Sequence, residues 1–264
     1  MRRYLALAFI LMSSAPSFAA GEAATGRGVG SGIVYPAPAQ ALVANPAGLS
    51  DGPKLAVAGL YRTKLADGGT FASLGFNDGG LGLGAAYQDA GTVSYFQAGG
   101  SFNLGGRLRF GASLNGSDAE ESDLSSDVGL NLTLGALRIG VVARNVEDID
   151  RIDTGIALKF TGGPGAVIEF NVKKPMSGAF KDDYYLLDSA LMVSVNKASF
   201  SFGYDWTYWL NDPFGNDDSG FQDGDLHAGV SLEIISGGFI EVFYRPLAQE
   251  WAVEKWAFGG RFLF

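Results

Sequence analysis

The sequence predicts an all-β fold: an antiparallel transmembrane β-barrel of about fourteen strands, or about twelve on the alternative count, with an N-terminal plug segment. Three observations carry that prediction. Apolar and polar residues alternate with a period of two over many stretches of about ten residues, the length of a tilted membrane strand. The connections between those stretches are alternately short and long. The chain ends on an aromatic strand pattern, EKWAFGGRFLF at 254–264.

The first residues read as a leader. Arg2 and Arg3 precede an apolar run from Leu5 to Met12, then small residues to Ala20. A charged start, a short apolar core and a small-residue site make a secretory signal peptide, with the cut expected after Ala19. The domain reading is therefore a signal peptide at 1–19, a plug or hatch at 20–52 and a barrel at 53–264. The chain has no Cys, so neither a lipid anchor nor a disulfide framework is expected. Beyond the leader no run approaches the roughly 20 apolar residues of a helical span. The net charge of −9 argues against a nucleic-acid partner, which needs clustered Lys and Arg.

Residues 21–51 are rich in Gly, Ala and Pro and lack sustained alternation. The Ala-rich stretch 39–44 suits a short helical turn, and the Asn45-Pro46 step ends it, because the residue before Pro avoids the helical region. Gly48 is read as permitting a tight turn. Such a segment is either a periplasmic linker or a plug folded into the barrel lumen.

Strands are expected at 53–63, 69–77, 80–88, 92–104, 107–115, 125–134, 137–145, 152–161, 166–173, 185–195, 198–208, 224–234, 238–245 and 254–264. Each has one apolar face. In 198–208, Phe200, Phe202, Tyr204, Trp206 and Tyr208 oppose Ser199, Ser201, Gly203, Asp205 and Thr207. In 125–134, Val128, Leu130, Leu132 and Leu134 oppose Asp127, Gly129, Asn131 and Thr133. A lipid face and a lumen face explain the contrast, because a charge on the lipid face costs about 2–4 kcal/mol at the midplane. The connections after the even-numbered strands are short and mostly carry turn residues, and the long ones fall between them. Outer-membrane barrels have short periplasmic turns and longer outer loops, so both termini are expected in the periplasm. Membrane lipids and lipopolysaccharide are the expected surroundings.

On the last strand Trp256, Phe258, Phe262 and Phe264 share a face, interrupted only by Gly260, while Ala257, Gly259, Arg261 and Leu263 share the other. A soluble sheet edge of this kind would invite aggregation. This ending resembles the closing strand of bacterial outer-membrane barrels, which the barrel assembly machinery reads as its signal. The resemblance makes that machinery an expected partner.

Asn45, Pro46, Ala47, Gly48 and Leu49, in an N-terminal segment followed directly by Gly-rich amphipathic strands, resemble the long-chain fatty-acid transporter (FadL) superfamily. The resemblance implies that the segment is a hatch in the lumen. It also implies passive uptake of hydrophobic small molecules such as long-chain fatty acids, with no enzyme activity, cofactor or metal. A lateral opening would be centred on Gly80, Gly82 and Gly84 of the Gly-dense third strand. The chain is shorter than typical members, which removes room for long ligand-binding loops. The alternative function is a non-transporting scaffold or a partner barrel for secretion and surface assembly. A continuous apolar path past Leu60, Phe239 and Phe243 would favour transport, and an unbroken salt-bridged core would favour the scaffold.

The lone His227 shares a lumen face with Ser231 and Glu233. Four residues along a strand is about 13 Å, too far for a nucleophile–base pair on that strand. The acidic loops 117–127 and 211–225 lack the spacing of a calcium loop. Charges of both signs are expected in the lumen: Arg107, Arg109, Arg138, Arg144, Lys159, Arg245 and Arg261 against Asp127, Asp153, Asp188, Asp205, Asp225, Glu233 and Glu241, with Glu169 beside them. In a plugged barrel they would pair with the hatch and with each other. In an ordinary open porin they would set up a transverse field.

Overall fold

Fourteen strands close into a barrel in chain order, each antiparallel to its neighbours. The computed structural model describes residues 32–36, 41–51, 54–63, 69–89, 94–118, 124–160, 165–177, 184–210, 220–245 and 255–264. The leader at 1–19, the plug up to residue 31 and most of the second acidic loop lie outside them. The strands are β1 (Leu55–Thr63), β2 (Gly69–Asn77), β3 (Leu81–Asp89), β4 (Ser94–Leu104), β5 (Leu108–Ser117), β6 (Ser125–Leu134), β7 (Leu137–Arg144), β8 (Arg151–Phe160), β9 (Gly165–Pro175), β10 (Tyr184–Val195), β11 (Ala198–Trp209), β12 (Gly220–Ile235), β13 (Gly238–Arg245) and β14 (Lys255–Leu263). The count is fourteen, not the alternative twelve.

The two faces follow the alternation. In β6 Asn131 is fully buried while Leu130 is 42 % exposed, and the same contrast separates Ser201 from Phe202 in β11. Aromatic pairs gather at the long-loop end: Tyr87 with Phe96, Tyr184 with Trp209, and Tyr244 with Trp256. At the short-turn end Phe262 stacks on Phe264. Aromatic belts of this kind sit at the two membrane–water interfaces of such barrels. The short turns are tight enough to need left-handed residues: Asn196 has φ 53° and Gly237 has φ 74°.

Two expectations are corrected. Arg107 is not a lumen charge; it lies exposed in the turn before β5, because Gly105 and Gly106 adopt left-handed φ and the turn takes one more residue than the pattern suggests. β12 begins at Gly220 rather than 224. Its pairing with β11 shifts between Asp205 and Thr207 and then continues to Trp209 opposite Gly220. Cross-strand pairing overrides the turn-forming composition of that stretch.

The seam between the first and last strands runs from Ala56 opposite Leu263 to Thr63 opposite Trp256. Two backbone bonds between Leu55 and Phe264 extend it, at 3.1 and 2.8 Å.

At the long-loop end two carboxylates tie loops to strand starts. Asp118 accepts from the backbone N–H of Ser94, and Glu147 accepts from the hydroxyl of Ser126 at 2.7 Å. Those bonds hold both acids below their ordinary values of 3.8 and 4.5. A carboxylate held down by folding stabilises the folded form above its ordinary value and loses that contribution as pH falls through the depressed one. The protection of the Ser94 and Ser126 amides, taken relative to their intrinsic exchange rates, should therefore be flat from neutral pH down to those ordinary values and fall below them. Loss of protection already at pH 6 would show that other groups control this mouth.

Candidate functional site in the barrel lumen

The lumen-facing wall of β3 to β8 is stripped of side chains where the N-terminal segment lies. A Cβ on Gly82 would stand 2.5 Å from the backbone of Leu49. On Gly111 it would meet the backbone of Pro46 and Ala47 at 2.4 Å, and on Gly129 the Oδ1 of Asn45 at 2.0 Å. Glycine here is a matter of space rather than of backbone freedom. The segment itself is the short helix α1 (Ala41–Ala44) followed by a 3-10 turn, Pro46–Asp51. All of it except Asp51 is buried.

Asn45 is the joint of the segment. Its side-chain amide donates to the carbonyl of Ile33 at 2.9 Å and to that of Leu130 on β6 at 3.3 Å. Its Oδ1 accepts from the N–H of Ala47 at 3.0 Å, the turn that Asn forms with its own backbone two residues on. One side chain thus binds the two described parts of the segment to each other and to the wall. Pro46 follows with no N–H to satisfy, which suits a fully buried position. Gly48 serves a purpose the sequence reading did not assign. Its φ is not left-handed, and a Cβ there would meet Pro36 Cγ at 2.3 Å. Close packing, not a tight turn, requires glycine.

Charges hold both ends of the segment. Arg144 on β7 donates to the carbonyls of Val43 and Ala44 at 2.8 and 2.6 Å, capping the C-terminus of α1 where a cation is favoured. The same guanidinium pairs with Asp127 and Asp153, each at 2.9 Å. At the other end Asp51 pairs with Arg109 at 2.8 Å and with Arg138. Arg138 also lies 4.0 Å over the ring of Tyr35. A third anchor is Glu169 on β9, which accepts from the N–H groups of Val34 and Tyr35 at 2.9 and 3.2 Å.

Of the predicted lumen charges, Arg109, Arg138, Arg144, Asp127, Asp153 and Glu169 meet this segment or its partners. Glu241 and Arg261 pair with each other at 3.1 Å, and Arg261 lies 4.7 Å over Phe239. His227 is not near Ser231: the serine hydroxyl accepts from Arg261 at 3.4 Å, while His227 faces Asp188 and Asp205. The side chains of Leu60, Asp225 and Arg245 lie outside the description.

Asp51 was not singled out from the sequence, although a signal existed. It is the only charged residue between Arg27 and Lys54, ending an apolar segment. Gly82 and Gly84 lie under Leu49 and Ser50, whereas Gly80 lies in the turn before β3. β3 itself is paired on both edges without a register shift. At the long-loop mouth a cleft of about 320 Å³ has Val43 of the segment, Phe71, Gln88, Gln97, Asn115 and Arg144 among its lining residues.

No protein-family profile matches the sequence, and no curated protein matches it. Solved structures do. The Pseudomonas putida toluene transporter TodX superposes with a TM-score of 0.61 at 10 % identity, covering 94 % of this chain and 98 % of that one. The Ralstonia pickettii toluene transporter TbuX gives 0.59 at 10 % identity, covering 90 % and 98 %. The Acinetobacter baumannii outer membrane protein Omp33 gives 0.59 at 10 % identity, covering 80 % and 98 %. At such identities the likeness is one of architecture: the chain shares the barrel fold of these outer-membrane proteins.

Proposed function

We propose that this protein is an outer-membrane barrel for passive entry of hydrophobic small molecules, kept closed by its N-terminal hatch. The observation that carries the reading is the N-terminal segment packed on the lumen wall between β2 and β9, with a cleft at the long-loop mouth that the segment helps to line. Val43, on the hatch itself, and Phe71 are apolar residues of its lining. A ligand on it touches the element that must move. The cleft, at about 320 Å³, is at the small end of ligand sites, which run about 300–1,000 Å³. That suits a compact molecule such as a monoaromatic hydrocarbon better than a long acyl chain, so long-chain fatty acids are the less favoured substrate. Lateral exit through Gly80, Gly82 and Gly84 belongs to the proposal: withdrawing Leu49 and Ser50 would bare that part of β3 from inside. The proposal also places both termini in the periplasm, lipid and lipopolysaccharide around the barrel, and the assembly machinery as the reader of its last strand.

Cells carrying the protein should take up radiolabelled toluene several-fold faster than cells lacking it, with glucose uptake unchanged. Oleate should show a smaller gain. Equal toluene rates would refute transport. The scaffold reading would then lead, and one observation favours it. The pair Glu241–Arg261 stands between Phe239 and Phe243 and interrupts that apolar path.

A further inference from the structure

Next to the wall residues Glu169 and Asn171, which border Val34, three lumen-facing groups from three consecutive strands converge. Asp188 on β10 stands directly opposite Asp205 on β11, and Gly203 on β11 stands opposite His227 on β12. His227 Nε2 lies 3.7 Å from Asp205 Oδ1 and 4.0 Å from Asp188 Oδ1. One ligand atom from each residue falls within 4.8 Å of the others.

Two observations besides the carboxylates point to a ligand. The first is the imidazole. His227 is 3 % exposed, and neither ring nitrogen has a hydrogen-bond partner among the described residues. A buried polar side chain without a partner is rare enough to require an explanation, and a role as ligand to a cation is one. The second is the hollow beside it. A Cβ on Gly203 would come within 2.1 Å of His227 Cε1 and 2.4 Å of Nε2. The wall lacks a side chain where the ring must lie to face the two acids.

Like charges directly opposite on neighbouring strands repel, so the Asp188–Asp205 pair favours a cation between them. Lys173 stands one strand further on, opposite Asp153. Asn171 donates from Nδ2 to Asp188 Oδ2 at 3.0 Å, which turns Oδ1 toward His227. Metal-ligating carboxylates are commonly oriented by such a bond.

We propose that Asp188, Asp205 and His227 bind a single first-row divalent transition-metal ion, Zn²⁺ being the type case. One imidazole nitrogen with two carboxylate oxygens suits such an ion better than Ca²⁺, which takes six or more oxygens. Zn–N and Zn–O bonds of about 2.0–2.2 Å put the donors of a tetrahedral ion about 3.3 Å apart. The separations of 3.7 and 4.0 Å reach that with sub-ångström side-chain movement. Three protein ligands leave a fourth position for water. The bound ion would cross-link β10, β11 and β12 through side chains. It needs no assumption about what the barrel transports.

The test uses the full-length barrel in detergent, stripped with chelator and then dialysed against Zn²⁺ or Co²⁺. The wild type should retain a single Zn²⁺ per chain, and Co²⁺ should give a visible absorption band. His227→Gln should lose the band and weaken Zn²⁺ binding by about tenfold or more. Asn171→Ala, which removes only the orienting bond, should weaken binding less and keep the band. Folding of each variant is checked by heat-modifiable gel migration, and Asp205→Asn replaces His227→Gln if the latter does not fold. Equal Zn²⁺ retention by wild type and variant would place the ion elsewhere and overturn the proposal, as would failure of the wild type to hold a stoichiometric ion.

Discussion

Removing residues 39–50 while keeping all the strands should raise single-channel conductance in a planar bilayer from near zero to a porin-like value. Those residues carry α1, the Asn45 joint and most of the 3-10 turn, packed on a wall that glycines have emptied. Once the segment is gone nothing among the described residues refills the space, and a barrel of this width holds water. A graded version follows from Asp51. Asp51→Asn removes the shared partner of Arg109 and Arg138, whose side chains are only 8 % and 7 % exposed. Breaking a buried pair on one side costs about 3–5 kcal/mol, and the 28 % exposure of Asp51 argues for the low end. About 3 kcal/mol shifts a closed–open equilibrium roughly a hundredfold. The variant should therefore flicker open rather than conduct steadily. If the deletion conducts no better than the intact chain, the segment is not the barrier and the closed-hatch reading fails.

Replacing both Phe262 and Phe264 with Asp should abolish accumulation of the barrel in the outer membrane. Phe264 exchanges both backbone hydrogen bonds with Leu55, and its ring stacks 6.3 Å from that of Phe262 at the short-turn end of the seam. A carboxylate on the lipid face near an interface costs less than about 1 kcal/mol, and a lost aromatic pair about 0.5–1.5 kcal/mol. Those terms are too small to prevent folding outright. The double variant should therefore still refold into liposomes, measured by heat-modifiable migration, yet fail in cells where the terminal strand must be recognised. Normal membrane levels in cells would contradict the assembly-signal reading of Trp256, Phe258, Phe262 and Phe264.

How much could be read without coordinates depended on the range of the interaction. Strands were legible because each one carries its own two-faced pattern, and β2, β6 and β13 begin and end where the alternation does. The strand count followed because turn lengths alternate. The extension of β12 to Gly220 was hidden, since its pairing with β11 is decided by a partner strand and not by its own Gly and Asp content. In the lumen, charges could be assigned to a face but not to partners. Arg144 meets Val43 and Ala44 across about a hundred residues of chain, and no local spacing encodes that contact. The Asn45-Pro46-Ala47 motif was visible, but its task was not. Its function as a joint depends on Ile33 and on a carbonyl of β6. The glycines had a partner that the sequence does not show. Gly82 and Gly84 lie against Leu49 and Ser50, a fit that their own strand does not encode.

That fit bears on how the chain can diverge. Gly82, Gly111 and Gly129 leave no room even for a methyl group while the hatch is in place, and the hatch atoms they face belong to Leu49, Pro46, Ala47 and Asn45. A side chain at Gly82 or Gly111 would meet hatch backbone, which no side-chain exchange on the hatch can move aside, whereas one at Gly129 would meet the Asn45 side chain. Hatch and barrel are consequently not interchangeable parts. A segment borrowed from a barrel of the same architecture at 10 % identity would bring its own relief to a wall moulded for this one.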